Sequence, residues 1–227
     1  MIINILKNQL KLLSFQSLNI KIHKEFWRYF IYILIITWLV GIGRYWDHPK
    51  ADWWQYAGLG SLAYIFFLSI FLYVILFPLK PQNFSYKIIL LFVGLTSLPA
   101  LLYAIPVERF MTMSQAQTAN VLFLAIVAIW RVALYLKFLI SVLKLNWFSI
   151  IVTTLLPLSA IVFVLGLLNL EHVVFQLMAG IRESEISAND QAYQVVFILM
   201  YFSYIAFPVT VISYIVAVIL NFKKAKI

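Results

Sequence analysis

The stretch VLFLAIVAIWRVALYLKFLISVL, residues 121–143, decides how this chain is read. It is long enough to cross a hydrocarbon layer ~30 Å thick as a helix, for which ~20 residues at 1.5 Å rise suffice. It also carries Arg131 near its middle, the single charge of the chain that a bilayer would hold close to its centre. A guanidinium is not neutralised by losing a proton, so Arg131 must face protein, water or a bound anion rather than acyl chains.

Working outward, this run begins at about residue 119, and five more of similar character cover roughly residues 26 to 43, 57 to 77, 88 to 105, 147 to 168 and 194 to 220. Hydrophobic residues make up 64% of the 227 and charged ones 11%, with mean hydropathy +0.98. Soluble domains hold only about 45–50% apolar residues. The expected fold is therefore an all-α integral membrane protein, a six-transmembrane-helix bundle with short loops, in which residues 1–227 form one transmembrane domain. Such loops leave no room for a soluble catalytic domain. Cysteine is absent, which excludes disulfides, thiolate metal sites and thiol catalysis.

The net charge of +9 sorts by side. If the first span runs outward, the inner side receives Lys7, Lys11, Lys21, Lys24, Arg28, Lys80, Lys87, Lys137, Lys144, Lys223, Lys224 and Lys226. The outer side receives Arg44, Lys50, Arg109 and Arg182, along with seven of the eight acids. By the positive-inside rule both termini are expected in the cytoplasm, in a membrane of the bacterial inner (plasma) type. The cations then report contact with the anionic inner leaflet, so the expected partner is membrane lipid and not nucleic acid.

Several segments add detail. Residues 2 to 13, IINILKNQLKLL, place most apolar side chains on one helical face with Lys7 and Lys11 opposite, which predicts an amphipathic helix in the inner interface within a cytoplasmic segment 1–25. Tyr45, Trp46, Trp53, Trp54 and Tyr56 crowd one outer loop and read as an interfacial aromatic belt. Pro99, Pro157 and Pro208 fall inside spans, where each removes a backbone donor and predicts a kink. In the outer loop 169–193, Val174, Leu177, Met178 and Ile181 predict a short surface helix or a shallow re-entrant piece, and Ser187 with Asp190 matches a capping box opening the last helix. That last helix carries a helix-packing seam of small residues, Ser203, Ala206, Thr210, Ser213 and Ala217, whose partner is either another helix of the chain or a second protomer.

Motifs for the common membrane hydrolases are missing, as are paired intramembrane carboxylates. No cofactor is expected. His48 and His172, each beside acids, are weak outer-face metal candidates without a recognised ligand spacing. Arg131 is the sharper case, because Asn120 and Tyr135 fall within ~40° of its direction on a helix and draw a polar line down one face. Two readings stand. Arg131 is a strut bonded to carbonyls released at Pro99 or Pro157, or paired to Glu108, or else it binds an anionic group in a cavity. Glu108 is placed to reach Asn120, and a direct bridge from it to Arg131 looks strained because their depths differ by ~15 Å.

Phe84-Ser-Tyr, then Gly94, Thr96-Ser97-Leu98-Pro99 and the apolar run to Pro106, with the next segment up to Leu139, resembles the middle spans of bacterial Yip1-like multi-pass membrane proteins. The resemblance covers roughly residues 84–139 and implies a non-enzymatic protein that organises partners or membrane. The chain departs from that family in reading as six spans rather than five, and Arg131 has no counterpart in the family pattern. The first functional expectation is accordingly a non-enzymatic organising or accessory subunit that binds lipid or protein partners, including a second copy of itself. A small carrier or channel for an anionic or amphipathic solute, built on Arg131, is the alternative. A membrane enzyme using His48 and His172 stands third.

Overall fold

A computed structural model of the protein describes residues 2–16, 18, 24–46, 52–179 and 190–224, the side chains of 169–179, 190, 193 and 224 excepted. All regular structure among the described residues is helical. In chain order it comprises α1 (Ile2–Leu13), α2 (Phe26–Tyr45), α3 (Trp53–Tyr56), α4 (Leu59–Leu76) and α5 (Tyr86–Leu95). A 3-10 turn at Phe77–Leu79 follows α4, and two more at Leu98–Ala104 and Val107–Arg109 follow α5, before α6 (Met113–Ser141), α7 (Trp147–Ala179) and α8 (Asp190–Lys224). Six of the resulting segments are long and apolar enough to cross a membrane.

The centre of the bundle is α5, in which every residue from Ile88 to Leu95 is buried. A helix that is apolar all round must be covered all round, and α2, α4 and α6 do so. Phe92 stacks on Phe138 of α6 with centroids 4.3 Å apart, and Ile33 of α2 sits against Gly94. A Cβ at Gly94 would lie 2.6 Å from Ile33, so the missing side chain is what lets α2 and α5 touch. Lipid offers helices no hydrophobic reason to associate, so this close packing and the bonds between helices carry the assembly.

The third span is broken. Helix α5 stops at Leu95, Thr96 and Ser97 turn, and the chain continues as the 3-10 turn Leu98–Ala104. Pro99 is the cause, for it has no N–H to give the carbonyl four residues earlier, that of Leu95. Gln9 of α1 supplies the missing donor, its Nε2 lying 2.8 Å from the Leu95 oxygen, while its own Oε1 accepts from the Tyr32 hydroxyl. Trp130 Nε1 also donates to the carbonyl of Leu13 at 3.0 Å. Helix α1 is thus docked into the bundle, a tie that the expectation of an amphipathic helix in the inner interface did not include. Its inward stripe, Ile5, Gln9, Leu12 and Leu13, includes a polar residue that hydropathy alone assigns to the outside.

Helices α7 and α8 form a long pair. The seam on α8 faces α7 of the same chain: Ser203, Thr210 and Ala217 are buried, Ala206 and Ser213 half-buried, and the hydroxyls of Ser159 and Thr210 lie 3.0 Å apart. At the other end Asn221 bonds Asn146 at 3.2 Å and Ser149 at 3.1 Å. Helix α7 runs unbroken to Ala179, so residues 169–179 continue the fifth helix and do not form a separate surface helix. Ile181 and Ser187 lie outside the described residues, as does the side chain of Asp190. Pro157 and Pro208 sit within α7 and α8 without ending them.

Candidate functional site: the cavity at Arg131

Arg131 leaves α6 ten residues before its end at Ser141, about 15 Å along the axis at 1.5 Å per residue. Its side chain lines a partly open cavity of about 290 Å³ bordered by α4, α5, the break at Thr96, the following 3-10 turn, α6 and α7. The walls are mostly apolar, with Leu68, Leu72, Val127, Leu158 and Ile161 among them. The polar groups are Arg131, Tyr64, Tyr103, Thr96, Thr154 and Tyr135.

The hydroxyl hydrogens of three of these are already engaged. Thr96 Oγ1 donates to the Val93 carbonyl at 3.0 Å and Thr154 Oγ1 to that of Ile150 at 2.8 Å. Tyr135 is buried and its hydroxyl lies 3.4 Å from the carbonyl of Thr153, four residues before Pro157. That carbonyl is the one Pro157 leaves without a helical donor. The two carbonyls proposed for a strut role of Arg131 are therefore met by Gln9 and Tyr135.

Arg131 itself makes no hydrogen bond or ion pair with any described residue. Its guanidinium lies over the ring of Tyr64, 5.2 Å from the centroid, a contact that uses none of its five N–H donors in a hydrogen bond. The Tyr64 and Tyr103 hydroxyls likewise lack a hydrogen bond to any described residue. Tyr103 stands within electrostatic reach of two cations, Arg131 and Arg44, the latter 5.5 Å from its ring. Uncommitted donors thus converge on a space walled by hydrocarbon side chains. Such a site matches an anion that carries an apolar part, and its volume is at the small end of ligand pockets, which span ~300–1,000 Å³.

The polar line expected on α6 divides in two. Arg131 and Tyr135 share the cavity, whereas Asn120 lies toward the other end of the helix and donates to Glu108 Oε1 at 3.0 Å. Glu108 makes no ion pair with Arg131. Sequence reasoning missed Tyr64, Tyr103, Thr96 and Thr154, which four separate segments bring together. Thr96 and Thr154 had a signal, each standing three residues before a proline inside a span, Pro99 and Pro157. His48 lies outside the described residues, and so does the side chain of His172.

Comparison with models of protein families, with curated proteins and with solved structures finds no match to this chain.

Proposed function

We propose that this is a non-enzymatic integral membrane protein that binds an amphipathic anion, a lipid headgroup or a fatty carboxylate, at Arg131. The uncommitted guanidinium in an apolar cavity carries this reading: a charge at mid-span is costly, and an anionic ligand is what would offset the cost. In this reading the six spans lie in a bacterial plasma membrane with both termini cytoplasmic, because the short loops and termini place twelve cations on one side and four on the other. An organising or accessory role agrees with what the Yip1-like resemblance of residues 84–139 implies.

Titration of the detergent-solubilised protein with oleate and with lysophosphatidylglycerol, followed by tryptophan fluorescence, tests the site. Saturable binding that falls at least about tenfold in Arg131→Gln, with the helical spectrum unchanged, is the expected result, since a charge-assisted bond is worth ~1.5–3 kcal/mol. Equal binding by the variant would refute the assignment.

One observation favours a second reading, transport. The span beside the cavity is discontinuous, and broken helices with their ends at a binding site are typical of carriers. Proteoliposomes holding the wild-type chain would then move the bound anion across the bilayer, and binding without flux would leave the accessory role.

A further inference from the structure

A second cavity, of about 360 Å³, lies between α1 and the start of α2 and is lined by Asn4, Lys7, Asn8, Glu25, Arg28 and Tyr29. Its chemistry is unlike that at Arg131. Two cations face one carboxylate, and the Arg28 to Glu25 pair, at 3.2 Å, uses one nitrogen of the guanidinium and leaves the others available. Lys7 and the Asn4 amide make no bond to a described residue, while Asn8 donates to the Tyr29 hydroxyl at 2.7 Å and ties the two walls together. Several donors with a positive surplus suit a phosphate diester, which offers only acceptors.

The surroundings say where that phosphate comes from. Helix α1 has three faces: the stripe docked in the bundle, the polar stripe of Asn4, Lys7, Asn8 and Lys11, and an apolar stripe of Ile2, Ile3, Leu6 and Leu10 that is exposed. Ile3 is 77% exposed, and on α2 Trp27 is 70% exposed next to Arg28. Polar donors and bare apolar side chains on neighbouring stripes of one helix match a molecule with an anionic head and hydrocarbon tails.

We propose that this cavity holds the phosphate of one anionic phospholipid, with Lys7 and Arg28 on its oxygens and its acyl chains along the apolar stripe of α1. The bound lipid bridges α1 to α2 and so strengthens the docking that Gln9 makes from the opposite face. The site is independent of the one at Arg131, since the two share no lining residue.

Intact-protein mass spectrometry of the solubilised chain, titrated with phosphatidylglycerol, phosphatidylcholine or free glycerol phosphate, reads the occupancy. One tightly held phosphatidylglycerol per chain is expected to remain in Arg131→Gln, whatever lipid the wild type holds at Arg131 in addition. The double variant Lys7→Gln with Arg28→Gln should weaken that lipid at least about tenfold. Lys137→Gln with Lys144→Gln, which removes the same charge elsewhere, should not. Equal losses in both double variants would reduce the effect to diffuse surface charge and overturn the proposal. Glycerol phosphate binding as tightly as the lipid would assign the cavity to a soluble phosphate and overturn the lipid. Circular dichroism of each variant shows whether it is folded, and both substituted cations being exposed at the surface favours that.

Discussion

Gln9 and Leu95, 86 positions apart in sequence, are joined by a 2.8 Å hydrogen bond from a side-chain amide to a main-chain carbonyl, and Pro99 is the reason that carbonyl is available. A buried carbonyl without a donor costs ~1–3 kcal/mol. Replacing Gln9 by Leu should therefore lower stability by about that amount, read as a drop in midpoint in thermal unfolding. In a Pro99→Ala background the helix regains an N–H for Leu95, so the same Gln9 substitution should cost less. The double-mutant cycle is the decisive measurement, for additive costs would mean that Gln9 and Pro99 act separately.

The stability of Arg131 variants separates a strut from a ligand site. A strut satisfies buried partners, and deleting it leaves them exposed to hydrocarbon at a cost of ~3 kcal/mol or more. Arg131 has no such partner among the described residues, only the ring of Tyr64. Arg131→Met is expected to unfold within ~1 kcal/mol of the wild type or above it. A large loss of stability in ligand-free detergent would restore the strut.

The number of spans could be read directly, because run length against bilayer thickness is a property of single segments. So could the breaking of the third span, since Pro99 is visible in the sequence. What could not be read are relations between segments. Gln9 is polar and lies on a stripe with Ile5 and Leu12, and nothing local says that its amide meets a carbonyl freed 86 positions away. The cavity draws Tyr64 from α4 and Tyr103 from the 3-10 turn, each unremarkable in its own segment, to Thr154 of α7. Reading residues 174–181 as a separate helix followed from helical spacing in a segment too short to cross on its own, but α7 runs on through Ala179.

The two small-residue contacts, at Gly94 and at Gly166, should both resist a larger side chain. At Gly94 an added Cβ meets the Cβ and side-chain carbons of β-branched Ile33 at 2.6–3.0 Å, and such a residue has few rotamers to move into. Gly94→Ala should cost ~1–3 kcal/mol, and Ile33→Ala in the same chain should recover part of it. Gly166 meets Met200 more closely still, at its sulfur, its Cγ and its Cβ, the last at 2.9 Å, and Met200 is itself buried, so Gly166→Ala should cost at least as much. A clearly milder loss at Gly166 would mean that the Met200 side chain repacks without cost and that the α7 to α8 contact is the looser one.

The orientation proposed from the charges is open to direct test because the chain has no cysteine. A single introduced thiol is then the only one to react. Lys144 lies within the α6 to α7 connection, whereas Ser114 is in the first turn of α6 at the end bearing Glu108 and Arg109, and both positions are exposed. Ser114→Cys should react with a membrane-impermeant maleimide added to intact cells, and Lys144→Cys only after the membrane is opened. The positive-inside bias requires this order, since Lys80, Lys87, Lys137 and Lys144 belong to one side. The reverse pattern would place the α1 cavity at the outer leaflet. Its lipid would then have to be drawn from there, and the cation count would have failed as a guide to this chain.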